Sequence, residues 1–212
     1  MASSQLLVKL DEIDWSKLKH AYGDASDVPG SIRSLLSNDE DIRHKAIYEL
    51  FGNIWHQGTV YEASSYAVPF LQELLRMPET PDKMMIADLL AEMADGNPYL
   101  ESAITDEQME PLLRRSLAEE GRNFDQELID SRRYVDATRN AVGKELPLLY
   151  PYLTCEEPEI RHSIAVALEN YPERISETLP LLEDALRTES NEEVQQAIKK
   201  SIAVLKRNLP DR

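Results

Sequence analysis

A single cysteine, Cys155, in 212 residues excludes an internal disulfide framework and any all-cysteine metal site. Glycine is scarce at seven residues, and Gly23, Gly52, Gly58, Gly96 and Gly121 fall at breaks between apolar-periodic segments, where helices end. No alternating strand pattern bounded by hairpin signals is present, so the chain reads as all-α. No apolar run approaches the roughly 20 residues needed to span a bilayer. The opening MASSQLLVKLDEID has neither the basic lead nor the apolar length of a signal peptide, so a cytoplasmic protein is expected. Basic residues are outnumbered 23 to 39, for a net charge of −16. Between positions 156 and 193 lie 11 acidic and 3 basic residues, which is half of that charge. Such a surface repels phosphate backbones and anionic lipid, so neither nucleic acid nor membrane is expected as a partner. It favours a basic partner, or else is a solvated face with no charged partner.

What is present, 42% hydrophobic and 29% charged residues, is enough to build and solvate a globular core. It is arranged in a repeat. Pro29, Pro69, Pro111, Pro147 and Pro180 each have leucine six residues on, at Leu35, Leu75, Leu117, Leu153 and Leu186. The intervals between the prolines are 40, 42, 36 and 33 residues, the spacing of stacked helical hairpins. A polar turn and a second helix follow each copy. In the first copy that helix opens Ile42-Arg43-His44 and closes at Leu50; in the fourth it opens Ile160-Arg161-His162 and closes at Leu168. The second copy uses 84–93, the fifth Val194, Ala197, Ile198 and Ile202, and the third is irregular, with its second helix over about 126–142. Ahead of the repeats, Asp14 is expected to cap a short helix through Lys19 that carries Trp15 and Leu18 on its apolar side.

Paired helices at this spacing, a proline in the first helix and an acidic turn leading to an Ile-Arg start of the second resemble HEAT repeats. The short bacterial HEAT-like repeats of the phycobilin lyase family are the nearest in flavour. The resemblance covers about 28–207; it departs in the third copy, and the Ile/Val-Arg pair is missing from copies two and three. The blocks HAYGDASDVP and GNIWHQGTVYEASSYAVPFL also look like a group of bacterial HEAT-repeat proteins, some associated with toxin–immunity neighbourhoods. The resemblance implies a right-handed α-solenoid of about five HEAT-like hairpins over 28–207, with an N-terminal capping segment over 1–27.

The stretch 52–75 joins a functional-looking loop to a structural helix. Thr59 and Glu62 fit a capping box, which starts that helix near Val60. Asn53, Trp55, His56, Gln57 and Tyr61 are then left in a loop whose turning needs no such chemistry. In a stack of hairpins this loop and 20–27 share one edge, bringing His20, Tyr22 and Asp27 beside it. The plainer alternative is that Trp55 plugs the end of the core while His56 and Asn53 cap helix ends.

Other candidates are weaker. His44 and His162 occupy equivalent repeat positions, which argues for a structural cause. There is no His-Glu pair of the kind deoxyhypusine hydroxylase uses on HEAT repeats, since His56 is followed by glutamine. H-x-x-x-H, C-x-x-C, G-x-S-x-G, P-loop and G-x-G-x-x-G patterns are likewise missing. Cys155 stands in an acidic turn, the wrong setting for a thiolate nucleophile. Arg132, Arg133, Arg139 and Tyr134 form a basic cluster for which pairing with Asp130 and Asp136 is expected; overall charge argues against the DNA cradle of HEAT-like alkylpurine glycosylases.

No catalytic residue, metal ligand or cofactor is therefore assigned. The expected function is a non-enzymatic protein-binding scaffold, in concrete form a bacterial immunity-type protein that sequesters a basic partner. The alternative is a small-ligand-binding lyase or chaperone analogous to the phycobilin lyases.

Overall fold

A computed structural model describes residues 8–208. The first seven positions of the expected capping segment 1–27 lie outside the described residues. The described chain is mostly helical: 8–11 are helical, and after them come α1 (Val28–Ser34), α2 (Glu40–Asn53), α3 (Glu62–Arg76), α4 (Lys83–Ala94), α5 (Tyr99–Ser102), α6 (Met109–Glu119), α7 (Phe124–Gly143), α8 (Pro158–Leu168), α9 (Ile175–Thr188) and α10 (Glu192–Arg207). No described helix is long and apolar enough to cross a membrane.

Local chemistry sets several helix starts. Asp39 accepts the Asp41 N–H at 3.0 Å, Asn123 accepts that of Gln126 at 2.9 Å, and Asn191 accepts those of Glu193 and Val194. Each side-chain oxygen satisfies donors that a helix's first turn leaves without a partner. Pro69 and Pro180 sit inside α3 and α9, as the repeat predicts, and Pro29 is in the first turn of α1. The fourth copy departs from it. Pro147 and Pro151 fall four residues apart and remove two N–H donors, so its first element is a pair of 3₁₀ segments, Leu146–Leu148 and Tyr150–Thr154, instead of an α-helix.

Helix α2 packs on α4, α4 on α8, and α8 on α10. On the other side α1 meets α3, α3 lies along α7, and the segment Tyr150–Thr154 meets α9. Helix α4 thus touches α8 directly, while α7 lies across both α3 and α4. One apolar cluster runs from Leu10 and Trp15 to Leu205, and Leu100, Leu117 and Phe124 form a small separate one under the 99–128 region.

The arginines of the repeated Ile-Arg-His do the same job twice. Arg43 donates to the Ser37 carbonyl at 3.1 Å and to Asp82 in the next polar turn at 2.5 Å. Arg161 donates to the Cys155 carbonyl at 2.8 Å and, as a fork, to both oxygens of Glu189 at 2.6 and 2.8 Å. Each reaches a carbonyl six residues back and a carboxylate in a later turn. His44 and His162, by contrast, are exposed.

Two small β-structures accompany the helices, consistent with the all-α reading. β1 (Lys19–His20) pairs antiparallel with β2 (Gly23–Asp24). β3 (Trp55–His56) pairs antiparallel with β4 (Thr59–Val60), and β4 pairs parallel with β5 (Asn97–Pro98). Gln57 and Gly58 between β3 and β4 have φ of 49° and 86°, the two positive angles of a tight hairpin turn whose twist suits its strands. The capping box at Thr59 and Glu62 is therefore not formed: Thr59 is in a strand and donates its hydroxyl to the His56 carbonyl. Helix α3 begins at Glu62, and Ser64 takes the reciprocal role by accepting the Tyr61 N–H at 2.8 Å. The helix expected from Asp14 is only a 3₁₀ turn, Trp15–Lys17; Asp14 binds Lys17 and the Ser16 hydroxyl instead of capping backbone.

Candidate functional site

The two hairpins meet along one edge. The Ala21 N–H donates to the Asn53 carbonyl at 3.0 Å, and the Asn53 amide donates to Asp27 at 2.6 Å. His20 is buried, at 8% exposure, and both ring nitrogens are engaged. Nδ1 accepts the Tyr22 N–H at 2.9 Å, which leaves the proton on Nε2 to be donated to Asp27 at 3.0 Å. His20 thus ties the Tyr22 backbone to Asp27. Tyr22, at 69% exposure, sets its hydroxyl 3.4 Å from His56 Nδ1, with the rings edge to face at 5.3 Å. Trp55 is half-buried, edge to face with Phe51 at 5.8 Å, and its indole N–H is enclosed without a partner among the described residues. Gln57 is exposed at the tip of the turn.

The eighth expected residue, Tyr61, faces a different feature. Pairing of β4 with β5, tightened by the Asn97 N–H on the Gly58 carbonyl at 2.8 Å, brings Tyr99 over Tyr61. The two rings stack with centroids 5.4 Å apart and planes 20° apart. Gly96 makes the approach possible, because a methyl group there would meet Val60 at 2.5 Å. The stack forms one wall of a cleft of about 660 Å³ that the 19–23 hairpin, the start of α3, the turn after α6 and one face of α7 enclose. Arg122 grips Glu127 with two donors, at 2.9 and 2.8 Å, and reaches Glu120 at 3.0 Å. The Tyr99 hydroxyl also donates to Glu127. Tyr134, two turns further along the same face of α7, closes the far side.

These contacts set the cleft's electrostatics. The Arg122 fork holds the Glu127 carboxyl below its ordinary range. Burial, reinforced by Glu127, pushes the Tyr99 phenol up, and burial with Glu62 and Asp130 pushes Tyr134 up to about 12. Burial raises Tyr61 as well, against the opposing hydrogen bond to Thr59. Phenols held protonated stack and donate hydrogen bonds; they are not positioned to remove protons. Among the described residues, no group of three His, Cys, Asp or Glu could hold a metal ion.

Sequence reasoning brought His20, Tyr22, Asp27, Asn53, Trp55, His56, Gln57 and Tyr61 to one edge, and the hydrogen bonds join the two loops that carry them. It missed Tyr99, Arg122 and Glu127, and it placed Tyr134 only in a basic cluster. That cluster is dispersed: Arg133 pairs with Asp130 at 3.0 Å, Arg132 with Glu101 rather than Asp136, and Arg139 donates to the Ala94 carbonyl. Burial comes first in pushing the Cys155 thiol up, with a smaller push from Glu157.

No family model and no curated protein matches the chain. The crystal structure of an engineered protein is similar at a TM-score of 0.35 and 17% identity, covering 97% of this chain and 84% of that one. A likeness at that level carries no argument about function.

Proposed function

We propose that the chain is a non-enzymatic protein-binding scaffold, a right-handed HEAT-like α-solenoid that presents the 20–27/53–61 edge and the adjoining cleft to a basic protein partner. In its most concrete form it is an immunity-type protein that sequesters such a partner. The cleft carries this reading: aromatic walls and the Glu62 carboxylate, which no cationic side chain among the described residues pairs, stand beside exposed Tyr22 and half-buried His56, on a chain of net charge −16. Tyrosine offers large contact area at low entropic cost, and opposite net charge speeds encounter. The twin roles of Arg43 and Arg161 support the repeat reading.

The test is affinity capture from the source cell with wild type and a Tyr22→Ala/His56→Ala variant. Trp55 is left intact because it packs against the core. A basic protein captured by wild type and lost from the variant supports the proposal; the same captured proteins in both remove this edge from it.

One observation favours a second reading, a small-ligand site. A volume of about 660 Å³ lies within the roughly 300–1,000 Å³ of small-molecule pockets. A thermal-shift screen of small ligands, bilins included, separates the two readings.

A further inference from the structure

The cleft's charges are unequally satisfied. Arg122 is consumed by Glu127 and Glu120, and Arg133, in an adjoining hollow of about 430 Å³, by Asp130. Glu62 differs. Its Oε2 accepts the Lys19 backbone N–H at 3.2 Å, and among the described residues no cationic side chain pairs with it. It is the first residue of α3, where the positive end of the helix suits a carboxylate. It also lines both the cleft and the hollow, as does Tyr134. Tyr61 and Tyr66 belong to the same surroundings, one in each space. A carboxylate with spare acceptor capacity among tyrosine rings complements a planar cation. A guanidinium can fork onto the carboxylate while its face lies on a ring; an ammonium can do only part of this.

We propose that Glu62 and Tyr134 form a seat for an arginine side chain of the basic partner. This rests on the binding reading above and specifies its chemistry. Lys19 is the internal competitor: its backbone touches Glu62, and the residue lines the same cleft. Seating the arginine displaces no protein ion pair, so recognition needs only that Lys19 stay in solvent.

The probe is the capped tripeptide acetyl-Gly-Arg-Gly-amide, with the lysine peptide and the citrulline peptide, an uncharged isostere of arginine, as controls. Binding is followed by chemical-shift titration of the full chain. The expected order is arginine above lysine, with citrulline at least tenfold weaker than arginine. Glu62→Gln keeps an acceptor for the Lys19 N–H and is expected to abolish the arginine–citrulline difference. Tyr134→Leu is expected to weaken arginine more than lysine, and Lys19→Gln to strengthen arginine severalfold. Circular dichroism confirms that each variant is folded. Equal binding of arginine and citrulline, no arginine binding at all, or undiminished arginine binding by folded Glu62→Gln overturns the seat. None of these touches the capture experiment, whose success would then locate the partner on the Tyr22–His56 edge alone.

Discussion

The ring of Tyr61 lies on that of Tyr99, centroids 5.4 Å apart, and this stack ties the β3–β4 hairpin to the segment that leads into α6. Its stability should depend on the ring more than on the hydroxyl. Tyr99→Phe keeps the stack and loses the donor to Glu127, at an expected cost of about 1 kcal/mol. Tyr99→Ala loses the stack and half-buried apolar area too, for about 2 kcal/mol. Urea unfolding followed by circular dichroism measures both.

The β3–β4 turn makes a purely conformational prediction. Nothing lies within 4 Å of a methyl group placed on Gly58, so Gly58→Ala costs only the strain of φ +86°. About 1 kcal/mol is expected. Gln57→Asn, better suited to its left-handed angle, should stabilise by about 0.3 kcal/mol. The two urea midpoints should therefore move in opposite directions.

The two repeat arginines should differ in worth. Side-chain exposures are 13% and 4% for Arg161 and Glu189, but 13% and 33% for Arg43 and Asp82. Arg161→Met strands a buried carboxylate and should cost about 3 kcal/mol, whereas Arg43→Met should cost about 1 kcal/mol. Arg161 holds Glu189 down to about 2 from its ordinary 4.5. A depressed carboxylate stabilises the fold above its ordinary value, and that contribution is lost as pH falls through about 2. In the Arg161→Met variant that contribution is gone at every pH, so the stability–pH curve should be flatter than wild type's between about 4.5 and about 2.

A second pair of carboxylates acts in the opposite sense. Asp88 and Glu92 on α4 are raised, first by burial; Asp88 is raised further by Glu159, and Glu92 by Asp88 and Asp95. Asp88 also has an enclosed oxygen without a partner among the described residues, while Glu92 accepts the Ser163 hydroxyl at 2.9 Å. Raised carboxylates bind protons more readily in the folded than in the unfolded chain, so stability rises as pH falls from neutral towards the ordinary carboxylate range. Asp88→Asn should stabilise by about 1 kcal/mol at neutral pH and flatten that part of the curve. Thermal unfolding across pH checks the sign.

Much of the helical order was legible because it is written in repeated local chemistry. Pro69 and Pro180 fall inside their helices, α4 covers the expected 84–93, and α7 the expected 126–142. The hairpins were not legible: strands of two residues have no alternation to detect, and only Gly58 hinted at the turn. Because Thr59 and Glu62 match a capping pattern, the helix was expected two residues early. The edge formed by His20, Asp27 and Asn53 followed from hairpin geometry. The cleft did not: Tyr99 reaches it through pairing of β4 with β5, and Arg122 and Glu127 through their bonds to one another and to Tyr99, contacts that no period in the sequence marks.

Hydrogen–deuterium exchange on the chain bound to the basic protein it captures tests the central claim most directly. Slowed exchange over 19–24, 55–62 and 97–102, the backbone that frames the edge and the cleft, is the expected result. Protection confined to other parts of the chain, such as the acidic 156–193 stretch, with those three segments unchanged, would contradict it.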